Sequence, residues 1–370
     1  MKVLFITCSL GYGGAAKMLN FVAESLAERG HTVHIANIQT TYKPGEYQRL
    51  VSDKIKVHDA GATSTKRGWR RFGQLKKIIS VCCENSIDII IGFTFFPNLM
   101  GRIAGWCCSI PCVMSERGDP ARTMSIFDRS FLFLINRSTG AVFQTAGAGE
   151  FYGKGLKKRG IIIPNPIFIK EEIPKIAYAD KKRSVVSVGR LDNNQKRYDV
   201  MLKAFAQFHE THRDYVLKIY GSGPAEGMMH QLAQELSITE YVQFKGVSLH
   251  PMKDMTPEGM FLITSDYEGI SNALLEAMAV GMPCVSTDHT PGGARMLIQD
   301  HENGLLAPIG DVQGLALAMS EFADDPELAE KCGENARDVI ERFDPDRIID
   351  MWENYIEKIY EQNRKFTKKE

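Results

Sequence analysis

Glu268 and Glu276 stand eight positions apart in the run Ser265-Asp-Tyr-Glu-Gly-Ile-Ser-Asn-Ala-Leu-Leu-Glu-Ala-Met-Ala-Val-Gly-Met-Pro-Cys-Val-Ser-Thr287. The first falls on a turn, the second on the helix that the pattern predicts after it. Eight helical residues rise about 12 Å and turn about 800°, which brings Glu276 back near the face where the helix begins. The N–H groups of Gly269, Ile270 and Ser271 are expected to point outward at the start of that helix, and Asn272, next in line, is a further donor-binding candidate. Such a terminus favours an anion, a diphosphate for example. Carboxylates flanking it suit a polyhydroxylated ligand that carries phosphate, namely a nucleotide sugar. On spacing alone, a capped core helix with two incidental glutamates fits equally well.

Cations for such a ligand come from another segment. Ser187-Val-Gly189-Arg190-Leu191 ends a strand pattern, and Lys196 follows. When a nucleoside diphosphate leaves a sugar, negative charge builds on the β-phosphate oxygen, and two fixed cations can stabilise it without a metal. Surface basic residues in a loop are the alternative. After the first strand, Gly11-Tyr-Gly13-Gly14-Ala15-Ala16 matches the dinucleotide fingerprint G-x-G-x-x-[GA]. An NAD site also needs an acidic residue at the end of the second strand, and His34-Ile-Ala-Asn-Ile-Gln-Thr40 offers none. The glycines are left with phosphate approach at a helix start, or a tight turn.

The elements that must position these residues alternate. Val3–Thr7, Thr32–Ile38, Ile87–Phe93, Cys112–Ser115, Ala141–Gln144 and Ile161–Pro164 read as buried strands, with Ala15–Arg29 the first intervening helix. Ile169–Arg183 is charged and aperiodic and reads as a linker. The rhythm then restarts with strands at Val185–Val188, Tyr215–Tyr220, Val242–Phe244, Met260–Thr264 and Cys284–Ser286. Helical patterns fall at Asp199–His212, Glu226–Leu236, Ser271–Val280, Val312–Ala323, Pro326–Phe343 and Pro345–Arg364. The last carries Trp352, Tyr355, Ile356, Ile359 and Tyr360 on one side. The expected fold class is α/β: two Rossmann-like, doubly wound parallel-sheet domains facing a cleft, over residues 1–168 and 184–343, with linker 169–183 and a last helix in 344–370.

Composition narrows the partners. The 370 residues carry 45 basic and 45 acidic side chains, so no global basic field recruits nucleic acid. The eight cysteines include the adjacent pairs Cys82-Cys83 and Cys107-Cys108 but no C-x-x-C pair, which speaks against a metal site and for reduced cytoplasmic thiols. Neither a signal peptide nor an apolar stretch of about 20 residues is expected. Charge is nonetheless uneven: Lys66, Arg67, Arg70, Arg71, Lys76 and Lys77 have no acidic neighbour from 64 to 83 and interleave with Trp69, Phe72, Leu75, Ile78 and Ile79. A helix there can lie on an anionic membrane surface, or pack its apolar stripe on its own sheet.

The set Gly13-Gly14, Ser187–Leu191 with Lys196, Tyr220-Gly-Ser-Gly-Pro224, Phe244-Lys-Gly246, Glu268…Glu276-Ala-Met-Ala-Val-Gly-Met-Pro283, Pro291-Gly-Gly293 and Asn303-Gly-Leu-Leu306 resembles the retaining glycosyltransferases of family four, in that family's order over nearly all of the chain. The match is looser in the first half. The resemblance implies a GT-B fold, with the acceptor bound mainly by the first domain, a UDP-sugar donor mainly by the second, and the last helix crossing back to the first. It implies that Arg190 and Lys196 hold the diphosphate, Glu268 contacts the transferred sugar, Glu276 contacts the ribose, Gly269–Ser271 touch sugar and phosphate, and Gly14 approaches the diphosphate. No metal or cofactor is implied, and no separate base: the leaving phosphate assists deprotonation of the acceptor. Many relatives carry a first-domain histidine near the reacting carbon. Here Ser115-Glu116-Arg117-Gly118-Asp119-Pro120 resembles a variant of bacterial surface-polysaccharide enzymes, giving Glu116 or Arg117 either a cleft-facing role or a structural salt bridge. Met296 stands where relatives often have an acidic residue. The expected activity is transfer of a hexose or N-acetylhexosamine to a glycan, including a polyprenyl-diphosphate-linked saccharide, in the cytoplasm or peripherally on the inner membrane face. Nucleotide-sugar epimerisation and non-catalytic sugar-nucleotide binding are the alternatives.

Overall fold

The computed structural model describes residues 1–11, 14–39, 51–62, 66–169 and 173–367. Gly13 and the side chain of Arg67 lie outside the described residues. The chain divides into unit 1, residues 1–165 with 346–370, and unit 2, residues 166–345.

Unit 1 is built on seven parallel strands: β1 (Lys2–Thr7), β2 (Thr32–Asn37), β3 (Lys56–Asp59), β4 (Ile89–Phe93), β5 (Cys112–Glu116), β6 (Gly140–Phe143) and β7 (Gly160–Ile162), in the order β3-β2-β1-β4-β5-β6-β7. Alternate residues face opposite helix layers, so the strands read as nearly continuous apolar runs. Val3, Phe5, Ile89 and Ile91 pack toward the helix Gly14–Glu28 and the last helix. Leu4, Ile6, Ile90 and Met114 pack the other way, under the helices Arg67–Asn85, Phe95–Cys108 and Leu132–Ile135. The sequence pattern misses β3 because Lys-Val-His-Asp is an edge strand with one apolar residue, and edges favour polar chains.

The last helix, Pro345–Thr367, is part of the unit 1 core. Trp352 is fully buried and stacks on Phe93 with centroids 5.8 Å apart. The Tyr355 hydroxyl donates to the Arg159 carbonyl at 2.5 Å and accepts from the Ala141 N–H at 2.9 Å. A side chain at Gly140 would lie 2.5 Å from that hydroxyl, so the glycine permits the docking. Each fully buried large apolar side chain is worth roughly 1.5–3 kcal/mol, ample for a helix whose other face is polar.

Unit 2 repeats the plan with six parallel strands: β8 (Lys182–Val188), β9 (Val216–Tyr220), β10 (Val242–Gly246), β11 (Glu258–Ile263), β12 (Cys284–Thr287) and β13 (Leu305–Ala307), ordered β10-β9-β8-β11-β12-β13. β8 begins inside the segment expected as linker, because Lys182 pairs in register with Glu258 and its amine lies 3.1 Å from that carboxylate. β13 is too short to show a period. The expected helix Pro326–Phe343 is two, Pro326–Ala336 and Val339–Arg342.

Candidate active site

In unit 2 the candidate residues gather on loops that leave the carboxyl ends of β8, β11 and β12. The β8 loop is set by close backbone approach: Gly189 N–H donates to the Tyr220 carbonyl at 2.9 Å, and a side chain at Gly221 would fall 1.8 Å from the Gly189 oxygen. Gly221 N–H in turn reaches the carbonyl of Gly246, at 2.7 Å. Gly246 adopts φ +68°, a left-handed turn that ends β10. The Tyr220-Gly-Ser-Gly and Phe244-Lys-Gly motifs therefore shape the loop that carries Arg190 and Lys196.

Lys196 closes the short helix Asn193–Lys196, whose N-cap is Asp192. The next residue, Arg197, turns into the left-handed region at φ 51° and pairs with both Asp199 and Asp266. The Thr264 hydroxyl donates to the Lys196 carbonyl at 2.8 Å, and Gln195 donates its side-chain amide to the Tyr267 carbonyl at 3.1 Å. These bonds tie the β8 loop to the loop after β11. Across the tie, the Lys196 ammonium meets the Glu268 carboxylate in an ion pair with both side chains largely buried. Ser265 Oγ donates to the same carboxylate oxygen at 3.0 Å, and Glu268 N–H donates to the Thr290 carbonyl at 2.8 Å. Arg190 remains exposed, its guanidinium 2.9 Å from Asp192.

Gly269, Ile270 and Ser271, expected to turn their N–H groups outward, precede the helix rather than open it. All three are buried, Ile270 belongs to the core, and the helix proper runs Asn272–Ala279. The reason is local. Ser271 is the N-cap and accepts from Leu274 N–H, while the Gly269 carbonyl is pressed against Gly293, where a Cβ would come within 1.7 Å. The start of the helix thus falls at Asn272, which is half-buried. Glu276 is half-buried on the helix's second turn. With only its final residues helical, the 268–276 segment does not make the full turns that the spacing predicts.

His289 was not singled out from the sequence. It is fully buried, close enough to the Lys196–Glu268 pair to feel both charges, with neither ring nitrogen hydrogen-bonded among the described residues. Burial holds its pKa below the ordinary histidine value, so the ring is neutral beside the ion pair. Its place directly before Thr290-Pro291-Gly-Gly293 is the signal that was available. Asn303, by contrast, braces a turn: it accepts from Gln299 N–H at 2.7 Å and donates to the Leu297 carbonyl at 3.1 Å. Met296 is half-buried and supplies no charge.

In unit 1 the candidate pair follows β5. Glu116 is 5% exposed and makes no ion pair with Arg117. Its carboxyl accepts from the Tyr152 hydroxyl at 2.5 Å and from the N–H groups of Arg117 at 3.0 Å and Gly118 at 3.3 Å. Burial raises its pKa above the ordinary value, and the hydrogen bonds only partly offset this. Arg117 is half-buried, donates to Asn165, and lies over the Phe93 ring at 5.9 Å. With its oxygen toward the guanidinium, the Gln144 amide accepts from Nη2 at 3.1 Å and donates to the Arg117 carbonyl at 2.8 Å. Nε and Nη1 are buried without a hydrogen-bond partner among the described residues. Gly14 opens its helix as an exposed residue.

The basic helix Arg67–Asn85 resolves its two expectations into two parts. Leu75, Ile78, Ile79 and Cys82 pack on the sheet, as an ordinary surface helix would. Trp69 and Phe72 do not; they stand exposed and meet edge-to-face with centroids 6.4 Å apart, among exposed Lys66, Arg70, Lys76 and Lys77. Arg71 is half-buried, over Phe96 at 5.0 Å. No described helix is long and apolar enough to cross a membrane. Among the described residues one set of metal-capable groups, His31, Glu353 and Glu357, lies within 4.8 Å of one another, with Glu353 already 2.7 Å from Arg29.

Comparison with known proteins agrees with this geometry. The family model for glycosyl transferases group 1 matches residues 168–339. An exopolysaccharide phosphotransferase of Streptomyces coelicolor is 33% identical over 272 residues, covering 72% of this chain but 28% of that protein. In Campylobacter jejuni, an α-1,4-N-acetyl-D-galactosaminyltransferase named for a GalNAc-containing diNAcBac-PP-undecaprenol is 24% identical, over 97% of this chain and 99% of its own. The Anabaena HepE structure solved with UDP and glucose superposes with a TM-score of 0.81 at 19% identity, covering 97% of this chain and 100% of that one. Its fold is GT-B, two parallel-sheet Rossmann-like units, as found here. The second unit, which carries the Lys196–Glu268 pair, thus belongs to the glycosyl transferases group 1 family.

Proposed function

We propose that the chain transfers a hexose or N-acetylhexosamine from a UDP-sugar to a glycan acceptor, with retention and without a metal. The observation that carries this reading is the Lys196–Glu268 pair, held between the β8 and β11 loops beside the helix bearing Glu276. An ammonium and a carboxylate that satisfy each other are the two groups a sugar diphosphate would separate. Lys196 and Arg190 take the diphosphate, Glu268 takes hydroxyls of the transferred ring, and Glu276 takes the ribose.

As the anomeric carbon–oxygen bond to phosphate breaks, charge gathers on the leaving oxygen, and Lys196 stabilises it. The acceptor hydroxyl bonds to the same face of that carbon and gives its proton to the leaving phosphate. Neither glutamate acts as a base in this scheme. Unit 1 takes the acceptor. The UDP bound to HepE and the undecaprenyl-diphosphate saccharide in the Campylobacter relative's name support a UDP donor and a lipid-linked acceptor. The place of work is then the cytoplasmic face of a membrane, held peripherally.

The test is a matrix of UDP- and GDP-sugars against polyprenyl-diphosphate saccharides, with chelator present and the product's anomeric configuration read by NMR. Transfer from a UDP-sugar with retention is the expected result. Turnover of the nucleotide sugar with no acceptor would make the chain an epimerase, and an inverted product would overturn the same-face route.

A further inference from the structure

Five aromatic side chains of unit 1 stand in solvent: Trp69 (68% exposed), Phe72 (62%), Trp106 (70%), Phe127 (56%) and Phe133 (57%), and Ile126, at 89%, stands beside them. Among the described residues no other Trp or Phe is exposed, and unit 2 has none. Four of the aromatics share one layer, and Phe127 joins it through Phe131, with centroids 5.3 Å apart. The helices Arg67–Asn85, Phe95–Cys108 and Leu132–Ile135 cover the same face of the unit 1 sheet, since Ile90 and Met114 beneath them point the same way. A single exposed apolar residue needs no explanation, but a cluster on one layer marks a contact surface.

The stretch 121–137 has a build suited to insertion. Ser125 and Asp128 form a reciprocal capping box around the four-residue helix Ile126–Arg129, which fixes Ile126 and Phe127 at an exposed tip rather than on a loose loop. Asp128 is the one acidic residue of the stretch, and Ser125 occupies its carboxylate, with Oγ at 2.7 Å. Arg122, Arg129 and Arg137 are all exposed. Arg137 lies over Phe133 at 5.9 Å, at the level of an exposed ring, and Arg129 lies over the half-buried Phe151 at 5.4 Å. Apolar tips ringed by arginine, with no free carboxylate among them, match an anionic bilayer: side chains into the acyl boundary, guanidinium groups among phosphates.

We propose that residues 121–137 are the apolar anchor by which unit 1 docks on an anionic lipid surface, with the basic helix Arg67–Asn85 supplying long-range attraction. The proposal rests on the lipid-linked acceptor reading and assigns its membrane contact to a segment that composition alone does not mark.

The experiment uses the full chain and vesicles of phosphatidylcholine with and without phosphatidylglycerol, read by co-sedimentation at low and high salt. The wild type is expected to bind the anionic vesicles and to retain part of that binding in high salt. Ile126→Ser/Phe127→Ser should lower the partition about tenfold or more and leave only salt-sensitive binding, as removing apolar burial predicts. Arg70→Gln/Lys76→Gln/Lys77→Gln should lose the salt-sensitive part and keep the rest. Transfer to a short water-soluble acceptor should be unchanged in both variants, which shows that they are folded. Unchanged partition of Ile126→Ser/Phe127→Ser overturns the proposal. So does a wild-type dimer that this variant converts to monomer, since the face is then an interface between copies. Vesicle binding without transfer to any acceptor would sink the functional reading and leave the anchor standing.

Discussion

Glu116 and Glu268 both stand at the carboxyl ends of strands, one ending β5 and the other in the loop after β11, yet their surroundings are opposite. Glu116 is sealed among neutral donors, a tyrosine hydroxyl and two backbone N–H groups, and burial raises its pKa. Glu268 is ion-paired with Lys196 and braced by Ser265. A carboxyl held by neutral donors can keep its proton and stiffen a loop. A carboxylate held by one mobile cation can trade that partner for a ligand's hydroxyls, because the cation has its own use for the ligand's phosphate. The same fold unit, used twice, thus gives one carboxyl that braces and one that exchanges.

The largest expected effect comes from breaking the exchanging side. Glu268→Ala should lower kcat by about 1,000-fold or more, the upper range for losing one transition-state contact. UDP affinity should hold or rise, since Lys196 is released from its carboxylate. Isothermal titration of the variant with UDP checks this, and a loss of affinity matching the loss of rate would contradict the assignment. Lys196→Ala should cost about 100-fold in kcat, with UDP binding weakened as well. A near-normal kcat in single-turnover assays would remove Lys196 from the leaving-group role.

The comparison also shows what a sequence can display. The Lys196 and Glu268 motifs were legible because their residue types and strand-end positions are chemical statements in themselves. Their mutual ion pair was not, since it depends on Arg197 turning left-handed and on Thr264 and Gln195 tying two loops that lie 72 positions apart. The burial of Gly269–Ser271 was not legible, because a serine before a helix reads alike whether it faces solvent or caps a buried turn; the approach of Gly293 to Gly269 shows which. Strands buried on both faces were easy to read, and the polar edge strand β3 and the three-residue β13 were not. Tyr152 and His289 carry no motif of their own. They matter through what they touch.

Glu258 separates burial from pairing. It is 3% exposed, as sealed as Glu116, yet its pKa lies below the ordinary value. Burial works against ionisation there too, but Lys218 and the Ser184 hydroxyl, each at 2.6 Å, with Lys182 at 3.1 Å, outweigh it. Removing the charge strands Lys218 in the interior, so Glu258→Gln should cost roughly 3 kcal/mol of unfolding free energy. A depressed folded pKa adds stability above the ordinary carboxylate range and loses it as pH falls through the folded value. Urea unfolding should therefore show the wild type converging on the variant as pH falls below the ordinary carboxylate range. A constant gap down to pH 2 would mean that the residue's role is packing alone.

Glu116→Gln should have the smallest effect and the opposite pH dependence. Its raised pKa means that the folded state holds a proton the unfolded chain releases near the ordinary value of 4.5. The contribution is fully present below that pH and fades as pH rises through the folded pKa. A glutamine keeps an oxygen for Tyr152 and has nothing to ionise, so the variant should gain on the wild type as pH rises from 4.5 to 8, by a few degrees in Tm at most. Transfer near neutral pH should stay within about tenfold of wild type if the carboxyl only braces the loop, well short of the loss expected for a transition-state contact. Tyr152→Phe sharpens the reading. It removes a donor that the ionised carboxyl needs more than the neutral one, so it should destabilise the protein more at pH 8 than at pH 5. A destabilisation that is flat with pH, or a Glu116→Gln loss of activity as large as that of Glu268→Ala, would show that the two carboxyls work alike after all.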